Sequence, residues 1–202
     1  MRIGVDFDNT LIDYDRVFLA AAKRHGLIEP SFAGTKRAIR DRIRLLPDGE
    51  LRWQELQGYV YGAGIGDAVM CVGADEFLRE CRRRGAEIFV VSHKTQFGHF
   101  DPQRVDLRVA ALDWMTRQGF FRADSYGIAR ENVFFESSRA DKLRRIRALG
   151  CAFFIDDLEE VFADPDFPDG VTPVLFAASG GPGLAVCPDW ARIRETVLGG
   201  LG

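Results

Sequence analysis

The sequence predicts an α/β fold: a doubly wound, mainly parallel, Rossmann-like sheet that carries a small helical cap. Three observations predict it. Short apolar runs recur at 3–7, 87–91, 132–135, 152–155 and 172–177, lengths that suit buried strands. Stretches with helical periodicity separate most of them, and this alternation builds βαβ units with parallel strands. The first two runs lie about eighty residues apart, well beyond the dozen or so that a minimal crossover needs. A segment has therefore been inserted between them.

In chain order, the run at 3–7 is the first strand. The segment 14–72 is mostly helical, with periodic stretches at 17–25, 36–46 and 51–61 joined by turns at Glu29-Pro30 and Pro47-Asp48-Gly49. It reads as a helical cap, which leaves 1–13 and 73–202 as the α/β core. From 74 to 84 the apolar Phe77, Leu78 and Cys81 face one way and the arginines another, and the second strand follows at once. A helix over 105–118, with Leu107, Val109, Ala111, Leu112 and Met115, is expected to pack on the sheet. Gly26, Gly85, Gly119 and Gly150 each follow an amphipathic or charged stretch, as a helix-ending glycine does.

With 202 residues the chain can bury a core without disulfides or a structural metal. A net charge of -3 lacks the basic excess of a general nucleic-acid binder. Cys71, Cys81, Cys151 and Cys187 are widely spread with no Cys-x-x-Cys, the pattern of buried free thiols rather than a zinc site or disulfide framework. No apolar segment reaches the ~20 residues of a membrane span, and the expected location is cytoplasmic.

The chemistry concentrates where strands end. The first strand breaks off at Asp6-Phe7-Asp8-Asn9-Thr10, at the end of an open α/β sheet where ligands bind. Carboxylates so close repel unless a cation lies between them or one keeps a proton, so the pair suits a Mg²⁺ site, an acid/base pair, or both. An Asx-turn after a strand is the structural alternative. Asp6 can attack phosphorus to form an aspartyl-phosphate, and Asp8 is the candidate general acid and base. The second strand ends in Ser92, whose hydroxyl, with backbone N–H groups, can hold a phosphoryl oxygen without adding charge. His93 and Lys94 follow; they contact a leaving group or cap the next loop. Lys142 opens a helix, against the macrodipole preference for negative charge there, and stabilising charge shared by nucleophile and phosphoryl group is a reason for that placement. A basic solvent-facing helix with Arg139, Arg144, Arg145 and Arg147 is the alternative. At the end of the fourth run, Phe153-Phe154-Ile155 gives way to Asp156-Asp157, hard oxygen ligands suited to Mg²⁺. Asp156 is the expected direct ligand, and Asp157 or Glu160 the second.

These four segments, in this order, resemble the motifs of the haloacid dehalogenase-like (HAD) superfamily, in its phosphatase branch with a helical cap inserted after the first strand. The resemblance implies Asp6 as nucleophile, Asp8 as general acid/base, and Thr10, Ser92, His93 and Lys142 around the phosphoryl group. It also implies Mg²⁺ held by Asp6, the backbone carbonyl of Asp8, Asp156 and Asp157. The second aspartate would be idle in a dehalogenase, which has no oxygen leaving group to protonate. The expected activity is Mg²⁺-dependent hydrolysis of a small phosphomonoester such as a sugar phosphate or nucleotide. A phosphomutase of the same superfamily and a non-catalytic Mg²⁺- or phosphate-binding module are the alternatives.

Substrate recognition is expected from the cap. Lys36, Arg37, Arg40, Arg42 and Arg44 form a basic stretch in which Arg37, Arg40 and Arg44 share a face, while Trp53, Gln54, Gln57, Tyr59 and Tyr61 add aromatic and amide groups. Those arginines would favour a substrate with a second negative group; a solvated helix face over an aromatic core is the alternative reading.

Overall fold

The computed structural model describes residues 1–98, 100 and 103–199; positions 200–202 of the expected core lie outside them. The elements run β1 (Arg2–Val5), β2 (Ile12–Asp13), α1 (Asp15–Arg24), α2 (Lys36–Ile43), α3 (Gly49–Tyr61), β3 (Val69–Met70), α4 (Ala74–Arg83) and β4 (Glu87–His93). There follow α5 (Leu107–Arg117), β5 (Val133–Glu136), α6 (Arg139–Leu149), β6 (Phe153–Asp156), α7 (Glu159–Phe162), β7 (Thr172–Phe176), β8 (Ala185–Cys187) and α8 (Trp190–Leu198). The chain divides into two compact units. One comprises Met1–Ile12, Met70–Lys94 and everything from Gly119 onward, the other Asp13–Val69 and Thr95–Gln118.

The first unit is built on a six-stranded parallel sheet in the order β5-β4-β1-β6-β7-β8. β1 is central because its buried Ile3, Gly4 and Val5 fit between two apolar neighbours, with Val5 opposite Val90 on one side and Ile155 on the other. A side chain at Gly4 would not fit: a Cβ there would come within 2.4 Å of the Phe154 ring. On one face, Leu143 and Ile146 of α6 pack with Phe89, Val91, Cys151 and Phe154. Ile88 and Val90, which alternation sends to the other face, are buried too. A parallel sheet must be covered in this way on both sides. The strand order reverses at β1: the chain builds β4 and β5 on one side, then returns to place β6 on the other. The carboxyl ends of β1 and β6 thus flank the crevice where such sheets bind ligands.

Several helix ends carry the expected stop and start residues. Gly26, Gly85, Gly119 and Gly150 all have positive φ, and Ser138 caps α6 by accepting from the Asp141 N–H. Two elements of the first unit carried too little pattern to be foreseen: the three-residue edge strand β8 and the helix α8. The glycine-rich 179–183 segment is the loop leading into β8, anchored where the Gly181 N–H donates to Glu159 Oε1 at 3.0 Å. All four cysteines are buried, and none forms a disulfide. Among the described residues no helix is long and apolar enough to cross a membrane.

The second unit is mainly helical. It takes in 95–118, so α5 packs not on the sheet but beside α3 and the short turn Ile65–Asp67. The buried Trp114 secures it, its indole N–H donating to the Ala68 carbonyl at 3.0 Å. An aromatic cluster fills this unit: Phe18 stacks on Trp53 at 5.1 Å, and Tyr61 meets Tyr14 and Phe18 edge-on.

Candidate active site

The site is assembled from the carboxyl ends of β1, β4 and β6 and the first turn of α6. The Asp6 N–H donates to the Ile155 carbonyl at 2.8 Å, which continues the β1–β6 ladder one residue past the strand and carries Asp6 up to Asp156. The backbone then turns sharply: Leu11 and Ile12 both donate to the Phe7 carbonyl, and Asn9 takes the left-handed conformation, with φ at 57°, that asparagine tolerates better than most residues. This turn brings Asp8 and Thr10 back beside the strand end.

Lys142 is the centre of the cluster. It is 2% exposed, and its ammonium lies 2.6 Å from Asp6 Oδ1 and 2.6 Å from Asp156 Oδ2. Of the basic residues on α6 it faces inward with Leu143 and Ile146, while Arg139, Arg144 and Arg147 are exposed. Asp156 also accepts from the Leu158 N–H at 3.0 Å, which fixes its orientation. Asp6, Asp156 and Asp157 each bring a carboxylate oxygen to within 4.8 Å of one another. Glu160, the alternative to Asp157, is exposed and faces Arg139 at 3.8 Å.

The electrostatics follow from crowding acids in a buried place. Burial pushes the Asp6 carboxyl well above the ordinary carboxylate range; the Lys142 ammonium pulls it down, and Asp156, Asp157 and Asp8 push it further up. For Lys142, burial acts against the charge, but Asp6 and Asp156 outweigh it and hold the ammonium above the usual lysine value. Lysine therefore keeps its proton, and the strain of excess negative charge falls on Asp6. A hard divalent cation binds oxygen at about 2.0–2.6 Å, so oxygens across such an ion lie roughly 4–5 Å apart. The three-carboxylate set matches that spacing and that chemistry.

Other site residues surround this cluster. The Asp8 carboxylate does not join the three-acid cluster: Lys94, 4% exposed, holds it with Nζ 3.0 Å from Oδ1 and 2.9 Å from Oδ2. His93, expected near the phosphoryl group, is exposed, and its Nε2 lies 3.2 Å from the Ser137 carbonyl oxygen. The cause is strand alternation: Ser92 and Lys94 turn inward, His93 outward. Ser92 is buried at the end of β4. The Thr10 hydroxyl is buried and turned to Asp157 at 3.5 Å, while its carbonyl accepts from the Trp190 indole N–H at 3.1 Å. It braces the acidic loop. The signal that separates Lys94 from His93 is the period of two from Ser92; Trp190 carries no such signal.

In the helical unit the arginines expected to bind anions are engaged by acids. Arg37 and Arg40 pair with Asp41, Arg42 with Glu29, and Arg44 with Glu50. Trp53 is core, not surface. Lys36 differs from its neighbours, donating to the Tyr61 hydroxyl at 2.7 Å with its ammonium over the Phe18 ring.

No family model and no curated protein matches the sequence. Solved structures do match in fold. A HAD-superfamily hydrolase from Ehrlichia chaffeensis has a TM-score of 0.55 at 18% identity, covering 100% of this chain and 97% of its own. A HAD family hydrolase from Deinococcus radiodurans R1, solved with bound phosphate and sodium, has a TM-score of 0.56 at 15% identity, covering 97% and 94%. A predicted phosphoglycolate phosphatase from Haemophilus somnus has a TM-score of 0.51 at 15% identity, covering 96% of each chain. The chain thus has the fold of the HAD-superfamily hydrolases.

Proposed function

We propose that this chain is a phosphatase that hydrolyses a small phosphomonoester through a covalent aspartyl-phosphate on Asp6. The observation that carries the reading is the separation of the two motif aspartates: Lys142 holds Asp6 against Asp156 in the buried cluster, while Asp8 is held apart by Lys94. One carboxylate can then serve as nucleophile and the other as proton carrier. That a Deinococcus protein of the same fold was solved with bound phosphate is in keeping with this reading.

Asp6 attacks phosphorus in line with the departing oxygen, and Asp8 gives that oxygen a proton. Water then attacks the aspartyl-phosphate as Asp8 takes its proton, which returns Asp6 as a carboxylate. Lys142 stays protonated throughout and balances charge as it passes between Asp6 and the phosphoryl oxygens. Ser92, at the end of β4, is the hydroxyl placed to receive one of those oxygens. Asp6, Asp156 and Asp157 would hold Mg²⁺. The cluster sets three carboxylates, Asp6, Asp156 and Asp157, against the one Lys142 ammonium, and the two negative charges left over match one divalent cation. Mg²⁺ bound there would neutralise phosphoryl oxygens as the substrate arrives.

The test is turnover of aryl phosphate and a panel of phosphorylated metabolites with Mg²⁺, by wild type and Asp6→Asn. Wild type should release inorganic phosphate and form an adduct on Asp6 that borohydride traps for mass spectrometry. Asp6→Asn turning over at the wild-type rate overturns the reading.

A further inference from the structure

Each motif aspartate meets a buried lysine, and only one of these lysines has a role in the reaction described above. Lys94 is nearly inaccessible, and a lysine is almost never so buried unless paired. Its backbone is pinned first, the N–H donating to the Glu136 carbonyl at 3.0 Å at the end of β5. The Glu136 side chain is in turn held by Arg145 at 2.8 Å. From that anchored base the side chain crosses to Asp8, passes 5.7 Å from the centre of the Phe7 ring, and meets both carboxylate oxygens at nearly equal distance. Contact with both oxygens fixes the plane of the carboxyl group as well as its position. Asp8 needs such fixing, because it belongs to the turn around Asn9 rather than to a strand.

We propose that Lys94 is a positioning residue for proton transfer at the leaving group, acting through Asp8. This rests on the phosphatase reading. In the first half-reaction a bond forms between phosphorus and an Asp6 oxygen while the ester P–O bond breaks; its electron pair stays with the departing oxygen, which takes the Asp8 proton. In the second, water oxygen bonds to phosphorus, the Asp6–phosphorus link breaks, and Asp8 receives the water proton. Lys94 neither gains nor loses a proton. It holds the Asp8 oxygens where transfer occurs. An alkoxide departs badly without that proton, whereas a nitrophenolate departs readily, so the contribution of Lys94 scales with the basicity of the leaving group.

The experiment compares wild type, Lys94→Met and Lys94→Arg on p-nitrophenyl phosphate and on an alkyl phosphate from the metabolite panel, with Mg²⁺ and with folding checked by circular dichroism. General acid–base contributions are commonly about 10²–10⁴-fold. Lys94→Met should therefore lose about 10- to 100-fold in kcat on the alkyl ester but less than about 3-fold on the aryl ester. Lys94→Arg, which keeps the charge, should recover part of the alkyl activity. It also carries the test if Lys94→Met does not fold, since a shifted cation should still slow the alkyl ester more than the aryl. Equal losses on both esters, or wild-type rates on both, overturn the proposal. Those outcomes leave the phosphatase reading standing as long as Asp6→Asn is inactive; an active Asp6→Asn overturns that reading itself.

Discussion

Replacing Lys142 by Met tests whether one ammonium group holds the buried acids together. The lysine and the two carboxylates it touches have side-chain exposures of 3%, 7% and 0%, and both contacts are 2.6 Å. Removing one partner of a buried ion pair typically costs about 3–5 kcal/mol, because the other charge is left without compensation. For a chain of this length each kcal/mol lowers the melting temperature by about 2–4 °C, so the variant should melt about 6–20 °C lower in EDTA. Arg37→Met is the control: its pair with Asp41 is 3.9 Å long and highly exposed, and such pairs contribute about 0–1 kcal/mol. Mg²⁺ should then stabilise Lys142→Met more than wild type, since Asp6 and Asp156 have lost the cation they share; at a hundred times Kd the gain is about 2.7 kcal/mol. Differential scanning fluorimetry with EDTA and with Mg²⁺ measures both effects. A Lys142→Met melt equal to wild type in EDTA would refute the ion-pair reasoning. Mg²⁺ raising the melting temperature of neither protein would refute the metal site.

Three further outcomes are expected. The Asp6 carboxyl is raised in the metal-free fold, chiefly by burial, so its share of stability is fully present below the unfolded value near 3.8 and is lost as pH rises through the folded value. In EDTA, Asp6→Asn should therefore gain stability over wild type as pH rises from about 4 toward neutrality; a difference independent of pH would count against it. Gly4→Ala should lose about 1–3 kcal/mol in urea unfolding, because its Cβ meets the Phe154 ring at 2.4 Å, and an unchanged midpoint would mean that the ring has room to move. Burial pushes the Cys81 thiol up to about 12 and the Cys151 thiol to about 11, so a disulfide reagent such as Ellman's should label neither at neutral pH until the protein unfolds; rapid labelling of the native protein would contradict the packing.

The fold and the acidic site were legible because their residues break local rules in a recognisable way. Carboxylates at the ends of two apolar strands, as at Asp6 and Asp156, point to a shared site more strongly than either does alone, and position along the chain then orders them. What the sequence could not supply was partnership. An amphipathic helix announces a buried face but not what it meets, so α5 was expected on the sheet, whereas Trp114 and Ala68 tie it into the helical unit. The basic stretch from Lys36 to Arg44 carries charge in abundance, yet Asp41, Glu29 and Glu50 take up the arginines. Of the adjacent His93 and Lys94, only the direction of the strand says which turns inward. β8 was invisible because three residues at a sheet edge leave no periodicity.

The central place of β1 has a consequence for how the protein acquires its site. Ile3 is paired with Ile88 and with Phe153, so the strand has no hydrogen-bonded neighbour within the first eighty residues of chain that follow it. Contacts so distant in sequence are slow to form, because loop closure comes before any reward from pairing. At translation rates of about 5–20 residues per second, roughly 8–30 s separate synthesis of the strand bearing Asp6 from synthesis of the strand bearing Asp156. For about the first eighty residues of that interval an apolar segment ending in two acids has no strand to pair with, and its second edge stays open until β6 is made. Those acids double as a guard: charges beside an unpaired hydrophobic strand oppose its pairing with the wrong chain. The same two acids that line the site at the end of β1 thus also bear on the fate of the unpaired strand.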